Sequence, residues 1–413
     1  MSQPQSAELT EGETSACGDQ QPEFRIPAIR HGTVSLRSEI KNSVISFAEM
    51  DTSIVAITSA PIGGRRYTGF GFSSNGRYSQ AGILERRLVP RLMGAFPQQI
   101  CDESGTNIDP GRAWRVAMTN EKPGGHGERS VAMGALDMAL WDLAAKIAGK
   151  PLYQFLSERY GDGHPDDKVF VYAAGGYYRP DGSHRELADE MRRYLDLGYT
   201  TVKMKIGGAP LSTDLARIET ALSITGTGQS LAVDANGRQD LSQALEYADA
   251  LAPLELRWYE EPGDPLDFEL LRTIADVYSG PIATGENLFS AADARNLIRY
   301  GGLRRDCDIL QVDPSLSYGV VEYLRLVRDL NEAGWSARRC IPHGGHQLTL
   351  HLAAALHLGG NESYPGVFRP VSGFGDDVQV TGGYVTLTDE PGIGIEQNAA
   401  LYREYRSLCE GLL

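Results

Sequence analysis

Six polar residues recur through the middle of this chain at a nearly constant interval. Lys205, Asp234, Glu260, Glu286, Asp313 and His343 follow one another at spacings of 29, 26, 26, 27 and 30 residues. Each stands at or near the end of a short apolar run: TVKMKIGG, LAVDANG, RWYEEP, IATGEN, ILQVDPS and RCIPHGG, with VFVYAAGG ahead of them. Between the runs lie segments of helical texture such as LADEMRRYLDLG, LSQALEYADALA and VEYLRLVRDLNEAG. A strand followed by a helix at this length is a βα unit, and successive units make a parallel sheet. An open, doubly wound sheet does not gather six groups from consecutive units around one point. A closed barrel does, because its functional side chains collect at the C-terminal ends of the strands. The reading is an α/β chain built on a TIM-type barrel.

The flanks have a different texture. From Ile29 to about Phe72 the runs SVISF, TSIVAITSA and RYTGFGF read as strands. Helical segments are expected near Ala81–Met93, Gly111–Thr119 and Ser130–Ala148, the last with a broad buried face. Gly, Pro and Asp punctuation at 160–167 marks a boundary. The expected organisation is a polar, disordered tail (1–24), an N-terminal α+β domain (25–166), the barrel (167–365) and a C-terminal segment (366–413). In that last segment VQVTGGYVTLTDEPGIGI is read as hairpin strands that rejoin the N-terminal domain.

Composition excludes several classes. The 413 residues carry 39 Lys and Arg against 54 Asp and Glu, a net charge of −15. That is the wrong electrostatic footprint for a nucleic-acid binder. The five cysteines (Cys17, Cys101, Cys307, Cys340 and Cys409) are scattered without C-x-x-C spacing, so neither a disulfide framework nor a zinc site is expected. No apolar run is long enough to span a membrane, and the N-terminus lacks the basic and apolar regions of a signal peptide. A cytoplasmic protein with a small-molecule partner, and no nucleic-acid or membrane partner, is expected.

The strand ends carry the chemistry. In TVKMKIGG, alternation puts Lys203 and Lys205 on one face and Val202, Met204 and Ile206 on the other. The apolar set must face the helices, so both lysines face the barrel interior. Asp234 and Asn236 repeat the device in LAVDANG. Asp234, Glu260 and Glu286 are three inward carboxylates on successive strands. Such a set needs neutralising, and a hard divalent cation such as Mg²⁺ does this with few protein carboxylates. Asp313 and His343 come from the next two units. There the carboxylate can hold one imidazole nitrogen and raise the basicity of the other. His351 is assigned to the helix QLTLHLAAALHLGG, and His346 is left open.

With these residues in place the chain resembles the enolase superfamily, in its mandelate racemase-like branch. The matching features are K-M-K, D-x-N, the Glu260 of YEEP, the Glu286 of GEN, and the Asp and His of the next two strands. The helix SVAMGALDMALWDLAAKIAGKPL extends the resemblance through the N-terminal domain. It implies a modified (β/α)7β barrel under an α+β capping domain, with one Mg²⁺ per subunit on Asp234, Glu260 and Glu286. It also implies Lys205 as one base with Lys203 as its electrostatic neighbour, and His343, supported by Asp313, on the opposite face of the substrate. Burial beside Lys203 is expected to lower the pKa of Lys205.

Within that branch SSNGRY, NEKPGGHGERS, YAAGGYY, ATGENLFS, LSYG and IPHGGHQ are similar to segments of the D-tartrate dehydratases. YEEP departs slightly from their pattern at the fourth strand. The resemblance implies a lyase that takes the proton α to a carboxylate and eliminates water from a small hydroxy diacid through an enediolate, D-tartrate giving oxaloacetate. Asn75, Lys122 and Asn236 are expected to bind substrate, with Lys122 the first choice for the distal carboxylate and Arg77, His126 and Arg129 as further basic loop residues. Dehydration of a longer acid sugar, and racemisation or epimerisation by the same Lys and His, are the alternatives. A non-catalytic binding barrel is disfavoured by the intact ligand and base set. A homo-oligomer is expected of such barrels.

Overall fold

The chain is described by a computed structural model covering residues 24–410 except 37, 180 and 181. The expected tail therefore lies outside the described residues except for Phe24. That residue belongs to the core instead: it is fully buried, and its N–H donates to Gly105 O at 3.2 Å.

The N-terminal part forms a three-stranded antiparallel meander of β1 (Ala28–Ser35), β2 (Asp51–Thr58) and β3 (Thr68–Phe72), in that order. SVISF does not form the expected strand. Asn42 Oδ1 accepts from the N–H groups of Val44 (2.8 Å) and Ile45 (2.7 Å), which closes a local turn in place of a ladder. Ser43 Oγ then donates to Ala235 O at 2.7 Å and ties this loop to the barrel mouth.

The barrel follows the predicted period. Its strands are β4 (Val169–Gly175), β5 (Val202–Lys205), β6 (Leu231–Asp234), β7 (Tyr259–Glu260), β8 (Ile282–Thr284), β9 (Ile309–Leu310) and β10 (Asn361–Ser363). They run parallel in the order β10-β4-β5-β6-β7-β8-β9. RCIPHGG supplies only a single bridge, Leu310 to Cys340, where a full strand was expected. Ile341 N donates to Leu310 O (2.9 Å) and Gly359 N to Cys340 O (2.8 Å), so this segment still fills the place between β9 and β10. Helices cover the outside, from His184–Asp196 after β4 to Gln347–Ala355 before β10. The fold is a modified (β/α)7β barrel of the TIM type with an α+β capping domain.

The C-terminal segment follows its reading in part. β11 (Tyr384–Val385) pairs antiparallel with the first residues of β4, on the side of the barrel away from the strand ends. The end of VQVTGGYVTLTDEPGIGI does rejoin the cap, with Gly392 bridged to Pro151 and Ile393 N donating to Asp142 Oδ1 at 2.7 Å. The last helix, Ala399–Leu408, follows it there, where Tyr405 Oη donates to Gly71 O at 2.7 Å.

One helix joins these parts. Glu128–Ile147 is buried continuously from Ser130 to Lys146, not along one face. β3 carries Gly69 and Gly71 where the helix backbone crosses it, and Gly134 faces the backbone of Ser315 beyond β9. Two aspartates on the helix take backbone hydrogens from different units. Asp137 accepts from Val320 N (2.6 Å), and Asp142 accepts from Phe70 N (2.8 Å) and Ile393 N (2.7 Å) while pairing with Lys146 (2.6 Å). Burial pushes the Asp142 carboxyl up to about 6 against the pull of Lys146.

A Cβ at residue 71 would sit 2.2 Å from Ala135 O and 2.6 Å from Ala139 N, both backbone atoms that cannot turn aside. Gly71→Ala is expected to cost at least ~2 kcal/mol of stability in urea denaturation. Gly82→Ala, which meets nothing within 4 Å, should be neutral or stabilising in the same assay.

Candidate active site

Parallel register places the charged residues beside one another. Lys205 is paired with Asp234 across β5 and β6, and Asp234 with Glu260 across β6 and β7. Lys203, one step deeper on the same face, is fully buried. Its Nζ contacts Glu260, lies 2.8 Å from Glu362 Oε1 and 3.5 Å from Asp234 Oδ2. Lys205 Nζ donates to Asp234 Oδ2 at 2.5 Å. Glu286 stands at the end of β8 and Asn236 just beyond β6. Asn236 is held in a left-handed turn (φ 50°), and its Nδ2 donates to Asp234 Oδ2 (3.2 Å) and Glu286 Oε1 (3.4 Å).

Burial disfavours both ammonium groups, but the surrounding carboxylates outweigh it. Lys203 is raised well above its ordinary pKa, chiefly by Glu260 and Glu362. Lys205 is also raised, contrary to the lowering expected from burial and Lys203. Both of those effects act downward, but Asp234, Glu286 and Glu260 overcome them. The carboxylates divide. Burial works against the charge of Asp234, yet Lys205 and Lys203 hold it well below its usual range. Glu260 rises to about 8 through burial and the nearby charges of Asp234, Glu286 and Glu362.

Asp234, Glu260 and Glu286 each offer an oxygen, and these atoms lie within 4.8 Å of one another. The donors are all hard oxygens, two of the three residues are buried, and their mutual repulsion calls for a cation. The set fits a hard divalent ion better than zinc or copper, which favour nitrogen and sulfur.

His343 enters from the segment between β9 and β10. Its Nδ1 lies 2.8 Å from Asp313 Oδ2, and its Nε2 lies 3.6 Å from Glu286 Oε2 and 3.9 Å from Glu362 Oε2. Burial acts to lower its pKa, but Glu286, the Asp313 hydrogen bond and Glu362 raise it to about 9. His346 caps the helix Gln347–Ala355 and lies edge-on to Phe72, while its Nε2 reaches Ser315 Oγ (3.1 Å). His351 lies within that helix, between Tyr153 N and Ile393 O. Burial pushes both imidazoles down to about 4.

Lys205, His343, Glu286 and Asn236 all line one cavity of about 110 Å³ between the barrel mouth and the cap. From the cap, Asn75, Arg77 and the loop around Val44 and Ile45 complete it. Lys122 does not line it, and its side chain is exposed. The neighbouring Glu121 is held by Arg91 (2.8 Å), Arg129 (3.1 Å) and Arg87, which fixes that loop to the cap. Arg129 Nε and His126 Nδ1 both meet the Tyr318 hydroxyl, at 2.8 and 3.1 Å, outside the cavity.

Glu362 was missed from sequence. It sits on the three-residue strand NES, too short to show apolar alternation. It pairs with Lys203, accepts from the Tyr364 hydroxyl (2.8 Å) and from Gly344 N (3.1 Å), and is held down to about 2, where Lys203 and His343 overcome its burial. Tyr177, Tyr364 and Asn287 also line the cavity with no spacing signal to mark them.

Comparison with known proteins gives the family. Residues 186–401 match the enolase C-terminal domain-like family, and residues 28–157 match the mandelate racemase / muconate lactonizing enzyme N-terminal domain. The chain belongs to the mandelate racemase and muconate lactonizing enzyme family of the enolase superfamily. It is 31% identical to the 3,6-anhydro-alpha-L-galactonate cycloisomerase of Streptomyces coelicolor, over 84% of this chain and 90% of that protein. It is 29% identical to the arabinonate dehydratase of Saccharolobus solfataricus, over 68% of this chain and 74% of that protein. Among solved structures, the L-talarate dehydratase of Polaromonas sp. JS666 complexed with Mg and L-glucarate superimposes with a TM-score of 0.71 at 27% identity. That match covers 90% of this chain and 94% of the other. Among the described residues, no helix is long and apolar enough to cross a membrane.

Glu260→Gln removes one anionic donor from the carboxylate cluster and the closest partner of Lys203. It is expected to weaken Mg²⁺ binding at least about 10-fold in calorimetric titration, from the lost charge and lost hard-oxygen ligand together.

Proposed function

We propose that the protein is a Mg²⁺-dependent lyase that dehydrates a small hydroxy acid, and that its substrate is D-tartrate, converted to oxaloacetate. The observation that carries the reaction class is that Lys205, at the end of β5, and His343, between β9 and β10, line one cavity, with Glu286 Oε2 3.6 Å from His343 Nε2. Asp234, Glu260 and Glu286 would hold the ion. When bound, Mg²⁺ would supply Lewis-acid stabilisation to the substrate carboxylate, and Asp234, as one of its ligands, would hold the Lys205 ammonium less strongly. Lys205, once neutral, takes the α-proton. His343, fixed through Nδ1 by Asp313, gives its Nε2 proton to the β-hydroxyl, which leaves as water. The resulting enol ketonises to the 2-keto acid. Asn75 and Asn236 offer amide groups to substrate oxygens from the cap and barrel sides.

Arg77, a cation in the cavity lining on the capping side, supports a diacid. The relatives favour a second reading, dehydration of a longer sugar acid, because one of them acts on arabinonate. The cycloisomerase keeps isomerisation in view as well.

Two measurements separate these readings. With Mg²⁺ present, a side-by-side assay of the three tartrates against five- and six-carbon aldonates and aldarates should show 2-keto acid from D-tartrate. Turnover of an aldonate with none of any tartrate overturns the substrate and leaves the reaction class standing. Optical rotation change without keto acid would instead mean isomerisation. In deuterated water, His343→Asn should lose product formation by about 10²-fold or more and retain α-proton exchange, whereas Lys205→Ala should lose both. The reverse pattern would interchange the two roles.

A further inference from the structure

We infer that Arg77 forms an anion subsite that makes this active site selective for acids with a second carboxylate close to the reacting end. The inference rests on the reading of the cavity as a hydroxy-acid site and names the group that selects among such acids. Besides Lys205 and the imidazole of His343, Arg77 is, among the described residues, the one cationic side chain lining the cavity. Lys205 is already engaged by Asp234, and His343 by Asp313. Arg77 differs: among the described residues it pairs with no carboxylate. Its Nη2 donates to Asn287 Oδ1 at 2.7 Å, and its guanidinium lies 4.7 Å from the centre of the Phe289 ring.

Those two contacts fix the group in place without neutralising it. An amide oxygen accepts one N–H, and an aromatic face tolerates the cation, but neither supplies a negative charge. The other guanidinium N–H groups remain available for the two-point recognition of a carboxylate that arginine geometry favours. Asn287 is in turn held by Glu261, to whose two oxygens its Nδ2 donates at 3.0 Å each. The chain Glu261–Asn287–Arg77 thus runs from the buried end of β7 to the cap loop.

The tether also limits a distance. Asn287 directly follows Glu286 in the chain, and its Nδ2 lies 3.5 Å from Glu286 Oε1. The guanidinium is therefore separated from the Glu286 carboxylate by one amide and two hydrogen-bond contacts. That path sets an upper limit on the separation, and a diacid of about four carbons is short enough to lie within it. In a longer monoacid, hydroxyl groups would face an unneutralised cation. This placement assigns to Arg77 the role that Lys122, exposed outside the cavity, does not fill.

Malate and 2-hydroxybutyrate are matched probes, because both are four-carbon α-hydroxy acids and only malate has a second carboxylate. Their dissociation constants are measured by calorimetry on the full-length protein with saturating Mg²⁺, so the result does not depend on which acid is turned over. The wild type should bind malate about 10- to 100-fold more tightly than 2-hydroxybutyrate. Arg77→Gln should abolish that difference while leaving 2-hydroxybutyrate within about 3-fold of wild type, and Arg77→Lys should restore part of it. Equal binding of the two acids by the wild type would overturn the inference. So would an equal loss of both in Arg77→Gln, with Arg77→Lys behaving alike. Selectivity for malate that depends on Arg77, in a protein that dehydrates no tartrate, would keep the subsite and discard the proposed substrate.

Discussion

Two ammonium groups inside a barrel are tolerable only if carboxylates reach them, and much of the central architecture follows from that requirement. Lys203 has no exposure and touches Glu260, Glu362 and, more distantly, Asp234. Those three partners come from β6, β7 and β10, strands on both sides of β5. The pairing works only when the strands keep their register, since a one-residue slip would turn each side chain to the helix side. A buried pair of this kind is weak evidence for stability, because desolvation offsets the attraction, but it defines which neighbour each strand must have. The same negative charge that holds the lysines also makes the mouth of the barrel a place for a cation.

Much of this was legible in the sequence because a β/α barrel writes its active site periodically. Each unit ends on one polar residue, and the interval between units is set by the length of strand plus helix. Alternation in TVKMKIGG was sufficient to turn both lysines inward. What escaped had no period to betray it. Glu362 lies on a three-residue strand without an apolar partner set, only 19 residues after His343. SVISF has the composition of a strand, but Asn42 captures two backbone N–H groups and makes a turn. The Lys205 pKa was misjudged for a different reason. Burial and a like charge are visible in the sequence, whereas the 2.5 Å approach of Asp234 depends on inter-strand register.

The loop residues show a second limit. Charge alone does not distinguish a basic residue that faces substrate from one that fastens a loop. NEKPGGHGERS and SSNGRY both carry cations, yet Arg129 is consumed by Glu121 and Tyr318 while Arg77 reaches the cavity. Glu121 makes the difference. Its carboxylate gathers three arginines, and this holds it down to about 2 against a burial effect in the other direction. The acidic member of the loop therefore decides where its basic neighbours go.

The helix Glu128–Ile147 bears on how the protein moves and breaks. Its aspartates take backbone hydrogens from the cap sheet, from the helix after β9 and from the C-terminal segment. Swinging the cap away from the barrel as a rigid lid would strand those acceptors in an apolar interior. The loop Asn42–Phe47 is fastened to the barrel side at its ends as well, by the Ser43–Ala235 hydrogen bond, by paired backbone hydrogen bonds between Lys41 and Tyr178, and by the Phe47 ring against Tyr177 and Phe368. The cap and the barrel are consequently expected to unfold together, since neither keeps its buried acceptors satisfied without the other.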